Sequence, residues 1–309
     1  LINMRILFAG SPGSAAQILK NLATHECEIV GVISQPDKRS KRGGKNEPSA
    51  VSAEAIKLGI PLYNPKSIDE DFKKTILQIN YDFLVVSAYG KILPSWLLEH
   101  PLVAPINIHF SLLPKYRGAS PIQSCLLNGD KKTGISIMKM TRGLDEGPVY
   151  SLHDHEISSL SNKIDLENEL VALTNKILFK SLLAIFNSSQ KPLEQDNDSA
   201  TYCNKITKAS GMVSFLEEEA EHIFRKFKAL NGWPGLFFHR NGIDIKIHGM
   251  AVQAPQNGIN ISDNFTFSKD GIIIKTKDSS IVITHLQFPG KKIITASDAA
   301  NSYADFFAN

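Results

Sequence analysis

The sequence predicts an α/β protein in which a Rossmann-like domain with a mainly parallel sheet precedes a small β-rich domain. In the first half, short apolar strands alternate with amphipathic helices, whereas short β-rich segments follow one another in the last third. The 309 residues are enough for two domains. A composition of 42% hydrophobic and 21% charged residues is enough to form packed cores and excludes a largely disordered chain.

The parallel sheet is predicted from apolar runs that end in turns. These runs cover residues 5–9, 28–34, 81–87 and 105–109. Helices are predicted over 14–22, with Ser14 as the N-cap, and from about Ser49 to Leu58, after a polar loop over 35–48. Nearly continuous apolar strands are typical of a sheet that is covered on both faces.

Two further strands and a long helix complete the first domain. They are predicted over 134–140, 148–157 and 163–186. The polar stretch 187–199 has no apolar period and is interpreted as a linker. The predicted limits are 1–188 for the first domain, 189–206 for the linker and 207–309 for the second domain.

The second domain is predicted to be a small β-barrel that follows one helix. Glycines and Asn/Asp pairs separate its short apolar segments. The helix is predicted over 217–230 and the strands over 236–239, 244–248, 271–276 and 280–286.

Charge and cysteine content narrow the function classes. The 34 basic and 31 acidic side chains give a net charge of +3, too small by itself to indicate a nucleic-acid partner. No segment approaches the roughly 18–20 apolar residues of a membrane span, and we expect no secretory signal. Cys27, Cys125 and Cys203 form no CxxC pair, so free thiols in a reducing cytoplasm are expected.

Asn107 and His109 lie at the end of a predicted parallel strand. Because side chains alternate along a strand, the two share one face at the edge where open α/β sheets bind ligands. An amide donor beside an imidazole can stabilise an oxyanion and transfer a proton, although two satisfied polar residues at a strand end would show the same pattern. Asp145, in the glycine-bracketed turn 143–148, could orient an imidazole or be an ordinary loop acid.

The turn Gly10-Ser11-Pro12-Gly13-Ser14-Ala15 lies where dinucleotide-binding folds place GxGxxG. Pro12 replaces the second glycine, which disfavours a nicotinamide oxidoreductase and favours a plain strand–helix turn. His153 and His155 have strand spacing but no third ligand at suitable spacing, so no metal site is predicted.

A basic, glycine-rich stretch follows the second strand. It is interpreted as a flexible arm for a phosphate backbone, with a solvated loop as the alternative. Its cationic residues are Lys38, Arg39, Lys41, Arg42 and Lys45.

Several segments together resemble the folate-dependent formyltransferases. They are RILFAGSP (5–12), GVISQPD (31–37), VVSAYGKILP (85–94), INIHFSLLPKYRGASPIQ (106–123), TGISIMKM (133–140), GLDEGP (143–148), NGWPG (231–235) and PGKK (289–292). The resemblance covers nearly the whole chain. The AYGxILP segment, the basic loop and the second domain make it most similar to those members that formylate tRNA.

The resemblance implies transfer of a formyl group from 10-formyltetrahydrofolate to the α-amino group of methionine on initiator tRNA, for translation initiation in the cytoplasm. It implies no metal, no membrane association and an OB-like second domain that offers a further tRNA surface. A monomer is expected, because the tRNA needs access to both domains. The implied catalytic residues are Asn107, His109 and Asp145; the implied folate-binding residues are Ser111, Leu112, Leu113 and Pro114; the implied tRNA-binding residues are Lys38, Arg39, Lys41, Arg42 and Lys45.

The chain departs from the family at Gly13 and Ser14, where an acid and an aromatic residue are usual. Another residue is therefore expected to recognise the methionyl group. The main alternative is a formyltransferase that acts on a nucleotide-linked amino sugar, which would have less use for the basic loop. A hydrolase of formyl-folate and a non-catalytic RNA-binding module are further alternatives.

Overall fold

The computed structural model of the chain describes residues 4–39, 46–253 and 265–308. Its strands are β1 (Arg5–Gly10), β2 (Glu28–Ile33), β3 (Lys38–Arg39), β4 (Asn46–Glu47), β5 (Leu62–Tyr63), β6 (Phe83–Ser87), β7 (Ala104–His109), β8 (Arg117–Gly118), β9 (Lys132–Lys139), β10 (Val149–Glu156), β11 (Tyr202–Cys203), β12 (Leu236–Arg240), β13 (Ile243–Gln253), β14 (Phe265–Ser268), β15 (Gly271–Lys275), β16 (Ser280–Gln287) and β17 (Ile294–Thr295). Its α-helices are α1 (Gly13–Leu22), α2 (Ala50–Leu58), α3 (Glu70–Leu77), α4 (Ser95–Glu99), α5 (Pro121–Asn128), α6 (Lys163–Phe186), α7 (Ala220–Ala229) and α8 (Ala296–Ala308), and two short 3₁₀ turns span Asn197–Ser199 and Lys208–Gly211.

The main sheet has seven strands in the order β10-β9-β7-β6-β1-β2-β5. The five strands from β7 to β5 run parallel to their neighbours. Strand β9 runs antiparallel to β7, and β10 antiparallel to β9. The predicted mainly parallel sheet is therefore confirmed, and the β9–β10 pair extends it beyond β7.

Alternation along β6 explains how both faces of the sheet are covered. Leu84 and Val86 pack in one cluster with Ile76 of α3 and Leu97 of α4. Phe83 points the other way, and its ring centroid lies 6.4 Å from that of Phe186 in α6. Every residue of β6 is buried, which is why its sequence lacks the polar alternation of a half-exposed strand.

Local sequence signals set the helix ends differently in α1 and α2. The Ser49 side chain caps α2 by accepting a hydrogen bond from the Ser52 backbone N–H at 3.0 Å. The prediction that Ser14 caps α1 is wrong: the N-cap is Pro12, which has no side-chain cap bond, and Ser14 is buried within the helix. Pro12 has extended backbone and its carbonyl accepts from the Ala16 N–H at 3.0 Å, so the helix begins at Gly13, one residue earlier than predicted.

The C-terminal sheet is antiparallel, in the order β12-β13-β16-β15-β14, with β17 also paired to β16. Its strand composition confirms the predicted small β-domain. Aromatic rings cluster against it: Phe265 lies within 6.0 Å of Phe215, Phe238 and Phe307, measured between centroids.

The chain divides into two compact units. The first comprises residues 1–121, 132–157 and 167–203, and the second comprises residues 122–131, 158–166 and 204–309. Much of the predicted linker belongs to the first unit: Leu193 and Val149 exchange two backbone hydrogen bonds of 2.8 Å, and β11 pairs with β8. The domain limits at residues 188 and 207 stay a prediction. None of the described helices has the length and apolarity needed to cross a membrane.

We expect Phe83→Ala to destabilise the first unit by about 3–5 kcal/mol, because it removes a fully buried ring between the sheet and α6. Urea unfolding followed by circular dichroism measures this change. Ile92→Ala is the control, since Ile92 is 92% exposed and its truncation should change stability by less than about 0.5 kcal/mol. Equal stability of the two variants would contradict this account of the core.

Candidate active site

Strand β7 positions the two residues that the sequence singled out at its end. Asn107 lies opposite Val86 of β6 and Met138 of β9, and His109 is buried opposite Ser136 of β9. Since β7 is parallel to β6, both side chains lie at the carboxyl end of the parallel strands, as predicted. The central position of β7 gives them a rigid backbone on both sides.

Asp145 reaches this strand end from the turn between β9 and β10. Its Oδ1 accepts a hydrogen bond from Asn107 Nδ2 at 3.2 Å. Its Oδ2 accepts one from the backbone N–H of Gly118 at 2.9 Å and lies 3.6 Å from His109 Nδ1. The structure therefore brings together the three residues that the sequence could not show to meet.

The contacts of His109 determine which of its two ring nitrogens can exchange a proton with a substrate. Nε2 lies 2.9 Å from the carbonyl oxygen of Tyr116, and because a carbonyl only accepts, Nε2 must donate. Nδ1 then faces Asp145 at a separation longer than a hydrogen bond. A proton on Nδ1 can therefore be directed to a reacting atom while the carboxylate remains close enough to stabilise positive charge on the ring.

The segment 111–114, predicted to line a folate pocket, forms a turn fixed to β9. The Ser136 hydroxyl donates to the carbonyl oxygen of Ser111 at 2.6 Å and accepts from the Leu113 backbone N–H at 3.0 Å. Ser111 and Leu113 are buried, whereas Leu112 and Pro114 are half-buried. Leu112 and Pro114 are thus the members of this segment with side-chain surface left for a ligand.

The turn after β1 has the close packing expected of a strand–helix connection. A Cβ on Gly10 would lie 2.8 Å from the carbonyl oxygen of Ser87, so only glycine fits without displacement. At Gly13, in contrast, a Cβ would meet no atom of the described residues within 4 Å beyond its chain neighbours and its own helix backbone. Ser11 is tied to the end of β6, where its hydroxyl donates to the Tyr89 carbonyl at 3.4 Å.

The structure describes only part of the predicted basic loop. Lys41, Arg42 and Lys45 lie outside the described residues. The backbones of Lys38 and Arg39 form β3, which pairs antiparallel with β4. The predicted role of this loop is therefore not tested by its geometry.

Three groups of this site were missed at the level of sequence: the Tyr116 carbonyl, the Gly118 backbone N–H and the side chain of Gln195. Gln195 Nε2 donates to the carbonyl oxygens of Asp145 and Gly147, at 2.8 and 2.7 Å. The sequence did contain a signal at position 118, because a glycine often marks a backbone conformation that other residues avoid. Gly118 has such a conformation, with φ of +123°. Gln195 gave none, since it stands in a polar stretch without periodicity.

The cysteines add no catalytic group to this site, although the Cys203 thiol donates a hydrogen bond to the Tyr116 carbonyl at 3.4 Å. Cys27, Cys125 and Cys203 are free thiols, and burial raises the pKa of Cys27 to about 11. Within the described parts of the chain, no group of three or more His, Cys, Asp or Glu residues is arranged to hold a metal ion.

Comparison with known proteins agrees with this arrangement. A family described as formyl transferase matches residues 4–182, and a family described as formyl transferase, C-terminal domain, matches residues 205–304. The chain belongs to the formyl transferase family. Two relatives named methionyl-tRNA formyltransferase are each 37% identical to it: one from Sulfurihydrogenibium sp. (strain YO3AOP1), covering 97% of both chains, and one from Kosmotoga olearia, covering 96% of both.

Solved structures share the fold at lower identity. The HypX protein from Aquifex aeolicus, solved in complex with tetrahydrofolic acid, superposes with a TM-score of 0.67 at 14% identity. That match covers 97% of this formyl transferase and 47% of HypX, so the chain spans about half the length of HypX.

We expect Gly118→Ala to destabilise the protein by at least about 1–3 kcal/mol, the cost of a backbone conformation that side chains rarely adopt. The new Cβ would also lie 2.3 Å from the carbonyl oxygen of Cys203. Thermal unfolding measures the change, with Gly13→Ala as the matched control because that site has ordinary φ and open space. A Gly118→Ala variant as stable as Gly13→Ala would contradict the close approach.

Proposed function

We propose that this formyl transferase moves a formyl group from 10-formyltetrahydrofolate to the α-amino group of methionine on initiator tRNA, in translation initiation. The observation that carries this proposal is the 37% identity to proteins named methionyl-tRNA formyltransferase over nearly the full length of both chains. The match includes the C-terminal domain as well as the candidate site. Tetrahydrofolic acid in the related HypX structure supports a folate donor.

Asn107 is proposed to stabilise the negative charge that develops on the formyl oxygen. When the amine attacks the formyl carbon, a new N–C bond forms and the carbonyl oxygen becomes an oxyanion that needs hydrogen-bond donors. Asn107 Nδ2 has two hydrogens; one faces Asp145, and among the described residues the partner of the other is Met138 Sδ at 4.0 Å. A thioether is a weak acceptor, so this hydrogen can be redirected to the oxyanion at little cost.

His109 and Asp145 are proposed to move the proton. The attacking nitrogen must lose a proton, and the folate nitrogen must gain one as its bond to the formyl carbon breaks. Nδ1 of His109 can take up the first proton and release the second, so the transfer balances without any redox change. The Asp145 carboxylate, 3.6 Å from Nδ1, stabilises the ring while it is charged.

Substrate binding is assigned to surfaces outside this trio. We propose that Ser111 to Pro114 line the folate site, a role supported by the rigid attachment of this turn to β9. The basic residues Lys38, Arg39, Lys41, Arg42 and Lys45 are proposed to bind tRNA phosphates. A monomer located in the cytoplasm, with domain limits at 188 and 207, belongs to the same proposal.

A transfer assay with mass-spectrometric readout tests the function and its residues together. Charged initiator tRNA should gain a formyl group with 10-formyltetrahydrofolate, whereas a nucleotide-linked amino sugar should not. Asn107→Ala should lower kcat about 100- to 1,000-fold through loss of an oxyanion donor. His109→Ala and Asp145→Asn should also lower kcat strongly, because the proton transfer is lost.

Asp154→Asn is the matched control for Asp145→Asn, because Asp154 is an exposed residue of β10 that pairs with Lys132 on the surface. It should retain the wild-type rate. Formylation of the sugar in place of the tRNA would refute the proposed function. Wild-type rates in all three site variants would refute the proposed mechanism.

We expect Arg42→Ala to weaken tRNA binding and to reduce the slope of log K against log salt by about 1, because one phosphate contact is lost. Filter binding of initiator tRNA over a range of salt concentrations measures both effects. Lys74→Ala is the control, since Lys74 is an exposed residue of α3 that faces Asp71. Unchanged affinity and slope for Arg42→Ala would rule out this contact.

A further inference from the structure

Two hydrogen bonds from one side chain hold the turn that carries Asp145. Gln195 Nε2 donates to the carbonyl oxygens of Asp145 and Gly147, so both of its amide hydrogens are used on this turn. Its Oε1 accepts from Arg117 Nε at 3.0 Å. A flipped amide would place its hydrogens against the guanidinium and its oxygen against two carbonyls, so the orientation of this side chain is fixed.

The Asp145 turn needs such a support because its backbone is unfavourable by itself. Asp145 has φ of +52°, in the left-handed region that few non-glycine residues other than Asn and Asp occupy. Such residues persist only where the surroundings determine their conformation. The C-terminal end of the turn is joined to β9, where the Lys139 N–H donates to the Pro148 carbonyl at 2.8 Å, and Gln195 holds the middle of the turn.

Gln195 is itself anchored by a buried charge. Arg117 is 1% exposed, and its guanidinium also donates to Asn197 Oδ1 at 2.8 Å and to the Tyr202 hydroxyl at 3.3 Å. A buried guanidinium without acceptors is costly, so Arg117 holds the segment 195–202 firmly in place. The same residue, Arg117, directly precedes Gly118, whose N–H binds the Asp145 carboxylate.

We infer that Gln195 is a positioning residue for Asp145, and that the segment 195–202 is part of the active-site structure. It sets the position of the Asp145 carboxylate relative to Asn107 and His109 without touching the substrate. This inference deepens the proposed function and rests on it for its kinetic consequences, while its structural consequence is independent of the reaction.

Gln195→Met removes both donors at nearly constant size. We expect kcat to fall about 10- to 100-fold, the effect of a small misplacement of a reacting group, while KM for folate and for tRNA stays unchanged. In an Asp145→Asn background, the same substitution should lower kcat by less than about twofold, because residues that act through one another are not additive. Loss of packing alone would give equal effects in both backgrounds.

Gln190→Met is the matched control. Gln190 stands in the same polar stretch, is also half-buried and donates one hydrogen bond to the Tyr150 carbonyl of β10 at 2.6 Å. It should leave kcat unchanged. Gln195→Glu keeps an acceptor for Arg117 but loses both donors, so it should reproduce the kinetic loss even where Gln195→Met loses stability.

Amide hydrogen exchange gives a readout that does not depend on activity. The Gly118 N–H should exchange faster in Gln195→Met, since its acceptor is the Asp145 carboxylate, whereas the Leu113 N–H, bound to Ser136, should not change. A wild-type kcat or an additive double variant, with unchanged Gly118 exchange, would overturn the inference. An inactive wild-type protein would refute only the proposed function, and Gly118 exchange alone would then decide the role of Gln195.

Discussion

The arrangement of this site depends on providing hydrogen-bond partners for one largely buried carboxylate, that of Asp145. The Asp145 side chain is only 16% exposed, and a charged group that leaves water must find hydrogen-bond donors or a partner charge. It finds the amide of Asn107, the backbone N–H of Gly118 and the imidazole of His109. These partners come from the end of β7 and from β8, so the two strands must meet at this carboxylate.

A second buried charge organises the opposite side of the turn. The Arg117 guanidinium binds the side chains of Gln195, Asn197 and Tyr202, which are neutral acceptors. Its ring contact with Tyr202, 5.9 Å from the guanidinium carbon to the centroid, adds a cation–π interaction. These acceptors belong to the segment 195–202, which has no apolar pattern. Polar contacts therefore hold this segment in the first unit, and hydrophobic burial contributes little.

The sequence predicted best where a single local pattern decides the structure. The apolar runs at β1 and β6 and the long amphipathic helix α6 all form near their predicted limits, and Asn107 and His109 share one face because strand alternation requires it. Short elements such as β5 were missed, since two residues carry no periodicity. The contact between Asp145 and His109 could not be predicted, because it depends on how separate turns pack.

The polar stretch before β11 shows why composition misleads at this point of the chain. Thr201 supports Tyr116, a second non-glycine residue with positive φ: its hydroxyl accepts from the Tyr116 N–H at 2.9 Å, and the Tyr116 carbonyl in turn accepts from His109. Both unfavourable backbone positions that orient the imidazole and the carboxylate are therefore stabilised by side chains of this one stretch. A segment with few apolar residues has the composition of a linker, yet a strained site needs outside hydrogen bonds of this kind more than it needs further hydrophobic contacts.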